Sequence, residues 1–278
     1  MTDASTSDPR PESRGRSLDP GAYPEAYFLS EDVEGYAGFR SGRLSWLREK
    51  HLSMLACDPG HRVLELGFAR GELLYALVDR CALAVGLDFS PAACRLAASL
   101  GAGRSRKPVL VRGDCRYLPF ADNQFDRVFA GDLIEHLDYA GGAYLLREMA
   151  RVLKSGGVLL AHTTPNLVFH RVLWPRLIRP MLRWFRPGTV DGVDAQLAVM
   201  DRVHIQEYTP TLLRRVARDA GLVNPAPEIW VDPDLLRAGS HRLTGDLARS
   251  PLYRIAAPIS RPFHRWIGND LYLRWRKP

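Results

Sequence analysis

The chain has 278 residues, 46% of them apolar, and 38 Lys and Arg against 31 Asp and Glu, a net charge of +7. That length and composition predict one α/β domain with an appendage and a full core, while a mild charge excess selects neither nucleic acid nor anionic lipid as partner. There is no uncharged apolar run of about 18 residues, which excludes a spanning helix, and the N-terminus lacks a signal peptide's basic head and apolar middle, which predicts a cytoplasmic location. The four cysteines (Cys57, Cys81, Cys94, Cys115) show no Cys-x-x-Cys or Cys/His ligand spacing, so neither a metal site nor a disulfide framework is predicted.

In chain order, residues 1–20 are rich in Ser, Asp, Pro and Arg and read as a disordered tail. Between Tyr36 and Leu55 the apolar positions Leu44, Leu47, Leu52 and Leu55 fall at helical spacing, ending at Asp58-Pro59-Gly60. Strand 62–66 then leads to helix 71–80, strand 83–87 to helix 91–100, strand 108–112 to a loop, strand 125–130 to helix 141–153, and strand 157–163 follows Ser155-Gly156-Gly157. This alternation predicts a doubly wound α/β sheet. Helix 209–220 and a strand at 228–231 follow an insertion at about 166–205. The domain so defined runs from 21 to 232, and 233–278 reads as a basic, aromatic C-terminal extension.

The most informative stretch is Val63-Leu64-Glu65-Leu66-Gly67-Phe68-Ala69-Arg70-Gly71, an apolar strand that runs into a carboxylate and a glycine turn. The next strand ends on Asp88, 17 residues past Gly71. In an open parallel sheet, such a turn and such an acid lie at the carboxyl ends of neighbouring strands, where a nucleoside can rest with its ribose hydroxyls on the acid. A dinucleotide fingerprint would need Gly-x-Gly-x-x-Gly or Ala from Gly67, but Ala69 and Glu72 occupy the second and third places, so an NAD site is excluded.

Further pieces occur in order: Gly113-Asp114-Cys115 after the third strand, Leu118-Pro119-Phe120 before the fourth, Gly131-Asp132-Leu133-Ile134-Glu135-His136-Leu137 after it, and Lys154-Ser155-Gly156-Gly157 before the fifth. With Glu65-x-Gly67-x-x-x-Gly71, this series resembles the class I S-adenosylmethionine-dependent methyltransferases over roughly 36–231. The resemblance implies a Rossmann-like methyltransferase sheet with an α-helical lid insertion and S-adenosylmethionine as cofactor. Ala69 replaces the family's middle glycine, which predicts that position 69 needs no positive φ.

The resemblance also implies the cofactor site. Glu65, Gly67, Ala69 and Gly71 form the first motif, and Asp88, with Phe89 beside it, takes the ribose diol. Asp114 reads the adenine amino group with the Cys115 amide next to it. The Asp132 carbonyl holds the methionine ammonium, and Arg43 or Arg40 its carboxylate. The candidate bases are His204, His136 and His162, all at or after strand ends, since an imidazole's ordinary pKa lies nearest neutrality. His204 leads, because Val203-His204-Ile205-Gln206-Glu207-Tyr208-Thr209-Pro210 resembles the segment that returns from the substrate-covering insertion in ubiquinone-type and natural-product methyltransferases.

The acceptor is narrowed by what is missing. No Asn/Asp-Pro-Pro-Tyr or -Phe follows strand four, no cysteine follows a proline, and no RNA-binding module is recognisable. The expected reaction is methyl transfer to a small or lipid-like natural product, at oxygen before nitrogen or carbon, with no nucleic-acid partner. RNA methylation and a non-catalytic cofactor-binding module are the alternatives. In the insertion, Trp174, Ile178, Met181, Leu182 and Phe185 share one helical face and Arg176, Arg179, Arg183 and Arg186 the other, with no acid from Leu167 to Val190. This predicts a lid over the substrate, with possible peripheral membrane contact through 167–187 as a second role. Pro175 suits a helix start, and Pro180 should break or kink the helix.

Overall fold

The computed structural model describes residues 19, 21, 23–30, 33, 35–185, 187–232 and 268–278. The tail expected at 1–20 and most of the extension expected at 233–278 lie outside them. In chain order the elements are α1 (Glu25–Phe28), α2 (Tyr36–Arg40), α3 (Trp46–Leu55), β1 (Arg62–Leu66), α4 (Glu72–Val78), β2 (Leu83–Asp88), α5 (Pro91–Leu100), β3 (Val109–Arg112), β4 (Phe125–Gly131), α6 (Tyr139–Val152) and β5 (Leu153–Thr163). A π-helical segment (Phe169–Ile178), α7 (Arg179–Phe185), α8 (Pro187–Val203), α9 (Pro210–Asp219), β6 (Glu228–Asp232) and β7 (Asp270–Arg276) follow.

The sheet runs in the order β3-β2-β1-β4-β5-β7-β6, with β1 to β5 parallel and β7 antiparallel to both neighbours. Alternate residues of each strand feed two cores. Leu64, Leu66, Val128, Ala130, Leu159 and Ala161 pack with α6 and α9, while Val63, Ala84, Phe129 and Leu160 pack with α3, α4 and α5. The near-continuous apolar strands follow from this, because both sheet faces are covered.

Three readings change. The single helical pattern from Tyr36 to Leu55 is two helices, because Gly42 takes φ 68° and Ser45 starts α3 afresh by accepting from the Arg48 amide. The extension expected at 233–278 contributes a strand to the sheet: β7 lies between β5 and β6, antiparallel to both, and its Leu271, Tyr272 and Leu273 are fully buried. Pro175 lies inside the π-helical segment rather than at a helix start. Proline has no amide hydrogen to add to the helix ladder, and the Arg176 guanidinium donates to the neighbouring Arg171 carbonyl at 2.6 Å. Pro180, expected to break or kink the helix, is the second residue of α7, which follows the π-helical segment directly at Arg179.

The insertion is closed at its base by main chain. Asn166 bridges Tyr208, and the Leu167 amide donates to the Tyr208 carbonyl at 2.9 Å. Within it, Phe169, Trp174, Val190 and Leu197 form a separate small core. Trp174, Ile178 and Leu182 pack there as expected, but Met181 is exposed with Leu177 and Trp184.

Candidate functional site

The turns after β1, β2, β3 and β4 meet at one edge of the sheet because the strands are in register. Leu66 pairs with Leu87 and Ala130, and Asp88 with Arg112. The Gly67 amide reaches the Leu87 carbonyl at 2.8 Å, and the Gly113 amide the Asp88 carbonyl at 3.0 Å. The turn after β1 is left-handed at three alternate positions: Gly67 (φ 71°), Ala69 (φ 50°) and Gly71 (φ 87°). The expectation that Ala69 avoids positive φ is therefore corrected: the turn demands that conformation, and alanine carries the steric cost that glycine would not. At Gly71 a Cβ would come within 3.0 Å of Ala97 Cβ, so close packing of the turn on α5 excludes a side chain.

Asp88 holds this turn. Its carboxylate accepts from the Ala69 amide at 3.0 Å and the Ser90 amide at 2.9 Å. Burial pushes its pKa up to about 6, against the pull of these backbone donors. Each oxygen keeps a lone pair for another donor. Glu65, on the α3/α4 side of β1, is buried and pushed up to about 8 by desolvation, with Arg48 pulling the other way, and its Oε2 has no hydrogen-bond partner among the described residues. Phe89 is half-buried against the Tyr23 ring at 5.6 Å. Asp114 is clamped by Arg116 in a two-pronged pair, Nη2 to Oδ2 at 2.6 Å and Nε to Oδ1 at 3.0 Å. Cys115 beside it is buried, and its thiol is pushed up chiefly by desolvation and then by Asp114.

Arg43 is exposed, as is Arg40. The arginine that the fold brings to this edge is Arg48 of α3, whose charge acts on Glu65 and Asp132 and whose Nε lies 3.9 Å from Glu72.

After β4, Asp132 is again left-handed at φ 50°, with its amide on the His162 carbonyl at 3.1 Å. A non-glycine residue in that region marks a backbone held by its surroundings. His162 Nδ1 lies 3.0 Å from the Asp132 carboxylate and Nε2 3.3 Å from Asp270. Burial lowers the imidazole pKa, but Asp132 and then Asp270 outweigh it and raise it to about 10. The same pairing holds Asp132 well below the carboxylate range. His162 is thus a buried cation between two acids, and the expectation that it could serve as a base is corrected. His51, which sequence reasoning missed, lies against its ring at 4.8 Å and contacts the Tyr272 hydroxyl at 3.2 Å.

The other two histidines come together. The His136 and His204 ring centres are 5.1 Å apart, and ligand atoms of Glu135, His136 and His204 all lie within 4.8 Å of one another. His136 Nδ1 is 2.9 Å from both the Tyr23 hydroxyl and the Val203 carbonyl. Tyr23 thereby ties the β4 turn to the β2 turn, since its carbonyl accepts from the Ser90 hydroxyl at 3.3 Å. The returning insertion caps the cluster, with the Ile205 and Gln206 amides on the Glu135 carbonyl at 2.8 and 3.0 Å. Burial, with His136 second, holds His204 down near 3, and burial also lowers His136. Desolvation and Asp132 push Glu135 well above the carboxylate range, while its Oε2 accepts from the Thr163 hydroxyl at 2.8 Å. Tyr27 of α1 is pushed up to about 12 by burial and by the nearby Glu135 and Asp132. The two N-terminal tyrosines carried no motif, so no sequence signal pointed to them.

Residues 64–161 match the family described as a methyltransferase domain. A demethylmenaquinone methyltransferase of Mycobacterium sp. (strain KMS) is 32% identical over 175 residues, 62% of this chain and 71% of that protein. Among solved structures, the chain bound to the Trm112 methyltransferase activator of Haloferax volcanii aligns with a TM-score of 0.55 at 19% identity, covering 91% of this chain and 97% of that one. The [4+2]-cyclase SpnF aligns with a TM-score of 0.52 at 21% identity, covering 85% and 84%. At those identities the two structures speak for the fold alone. The turn chemistry at the sheet edge, the matched family and the shared length with the mycobacterial enzyme establish that this chain belongs to the class I S-adenosylmethionine-dependent methyltransferases.

Proposed function

We propose that the enzyme transfers the methyl group of S-adenosylmethionine to an oxygen atom of a small, lipid-like acceptor of the quinone class. The observation that carries this reading is the convergence of buried Glu135 with half-buried His136 and His204 at the foot of the insertion, where a hydroxyl-bearing ring could place its polar end. The named activity of the mycobacterial relative supports the acceptor class.

The residues present fit the cofactor. The left-handed turn at 67–71 lets backbone amides approach it, and Asp88 retains acceptor capacity for the ribose diol, with Phe89 alongside. Asp114, steadied by Arg116, would read the adenine amino group next to the Cys115 amide. The Asp132 carbonyl would hold the methionine ammonium and Arg48, rather than exposed Arg43, the carboxylate, with Glu65 behind them. When bound, the sulfonium supplies an already activated methyl, so the chain's own task is to align the acceptor and to take up its proton. Neither imidazole matches a general base poised near neutrality, because burial keeps both neutral and weakly basic. His204 and His136 then orient the acceptor hydroxyl, and orientation carries more of the rate than basicity.

The exposed strip of Leu177, Met181 and Trp184, at i, i+4 and i+7, supports peripheral contact with a membrane from which such an acceptor would be drawn. The test of the reaction is incubation with methyl-labelled cofactor and a panel of hydrophobic hydroquinones, amines and RNA, with the product position read by mass spectrometry. An O-methylated ring is expected. Label only on nitrogen, on carbon or in RNA would overturn the reading.

A further inference from the structure

The cluster after β4 carries more than acceptor hydrogen bonds. Glu135 is 1% exposed, and its Oε1 has no hydrogen-bond partner among the described residues, although Oε2 is bound by Thr163. His204 Nδ1, on the returning insertion, is likewise buried and unsatisfied. An unmade bond at a buried polar atom is costly, and such atoms are few in a folded protein. In the tautomer that donates from Nδ1 to the Val203 carbonyl, His136 keeps a lone pair on Nε2. That backbone anchor is the usual support of a metal-bound imidazole. Two imidazoles and a carboxyl group, with ligand atoms within 4.8 Å of one another, are a donor set for a borderline cation.

We infer that Glu135, His136 and His204 form a binding site for one divalent transition-metal cation of the zinc and manganese class, with open coordination positions for an oxygen of the acceptor. Two nitrogen donors argue against magnesium and calcium, which prefer all-oxygen shells. Three protein ligands leave a position free, as in catalytic rather than structural sites. This rests on the proposed hydroxyl acceptor only for what fills that position. A hydroxyl bound there would lose its proton far more readily than a free one, the proton passing to water and the oxygen being presented as the nucleophile. The second group of possible ligands, His170, Asp201 and Glu207, differs, because the Arg171 guanidinium already bridges Glu207 and Asp201 at 3.0 and 2.6 Å.

The test is equilibrium dialysis of the chelator-stripped full chain against Mn2+, Zn2+ or Mg2+, with bound metal counted by elemental analysis. Electron spin echo spectroscopy of the Mn2+ form would look for imidazole nitrogen couplings. One equivalent of Mn2+ or Zn2+, nitrogen couplings and no stoichiometric Mg2+ are expected. His204→Ala and Glu135→Gln should each abolish stoichiometric binding, with S-adenosylhomocysteine affinity retained as proof of a folded cofactor site. No stoichiometric cation in the unmodified chain, or binding that survives both variants, would overturn the inference. Because metal is counted without any acceptor present, the two readings fail separately: O-methylation at full rate in excess chelator removes the cation and leaves the function. A bound cation with no O-methylation does the reverse.

Discussion

The turn after β1 and the insertion between β5 and α9 both wall the site, yet they are held by different kinds of contact. The turn is a main-chain object: left-handed backbone at 67, 69 and 71, fastened by amides to Asp88 and Leu87. The insertion is a side-chain object, in which Trp174 packs with Phe169, Val190 and Leu197 while its indole donates to Asp194, and Arg179 and Arg183 reach Asp194 and Asp191. Backbone-held geometry tolerates change of residue so long as φ is met, which is why alanine can sit at position 69. Side-chain-held geometry depends on particular partners, the polar ones 8 to 20 residues away.

The largest effect should come at a buried charge behind both regions, at the ends of β4, β5 and β7. His162 separates Asp132 at the foot of the cluster from Asp270 on β7. His162→Gln would leave Asp270 buried and Asp132 half-buried without a cation between them, and is expected to cost about 2–3 kcal/mol of stability at pH 7 by urea denaturation, less than the loss of a fully buried pair because the Asp132 side chain is 37% exposed. The sign of the pH dependence follows from the shifts. The pKa of His162 is raised, so its contribution is complete below its ordinary value of about 6.5 and is lost as pH rises through about 10. That of Asp132 is depressed, so its contribution is present above about 4 and is lost as pH falls. The gap between variant and parent should therefore narrow above pH 10. An equal gap at pH 7 and pH 11 would remove the charged reading of His162.

The same contrast decides what could be read before any coordinates. The strand and helix alternation, Gly67, Gly71 and Asp88 were legible because consecutive residues state a backbone conformation and a charge at a strand end. Ala69 misled, since its conformation is set by the Asp88 carboxylate 19 residues on. Arg48 was hidden in a helix pattern in which Arg43 and Arg40 looked equally able. β7 was obscured because its partner strand, β6, ends at Asp232, and register across such a separation leaves no local mark. The Glu135, His136 and His204 cluster escaped ligand-spacing rules because one member lies 68 residues from its nearest partner.

On the backbone-held side, Asp88→Asn should weaken S-adenosylhomocysteine binding by roughly 10- to 150-fold, the equivalent of about 1.5–3 kcal/mol for a charge-assisted bond. The parent's affinity should climb as pH rises through about 6, where the raised carboxyl ionises and can accept from the diol. The variant's profile should be flat across that range. Calorimetry from pH 5 to pH 8 reads both, and a parent profile without a rise near pH 6 would detach Asp88 from the ribose.

The smallest effects belong to the insertion's surface, and they separate two ways for it to meet a membrane. A stripe of four arginines would add about 1 kcal/mol each toward an anionic surface, screened by salt. Folding back of α8 changes this: Arg179 and Arg183 find Asp194 and Asp191 at 2.8 and 3.3 Å, neutralising two of the charges, and Arg186 lies outside the described residues. Both pairs are half-exposed, so Arg179→Gln with Arg183→Gln should shift stability by no more than about 1 kcal/mol per pair. Vesicle sedimentation should likewise change little, because the contact falls to Trp184, 84% exposed, with Leu177 and Met181 beside it. Trp184→Ala is expected to reduce binding to neutral and anionic vesicles alike, since the lost contribution is burial of apolar area, which salt does not screen. Binding confined to anionic vesicles, abolished by the double arginine variant and indifferent to Trp184→Ala, would return the contact to charge and show that the acids of α8 do not hold these arginines in solution.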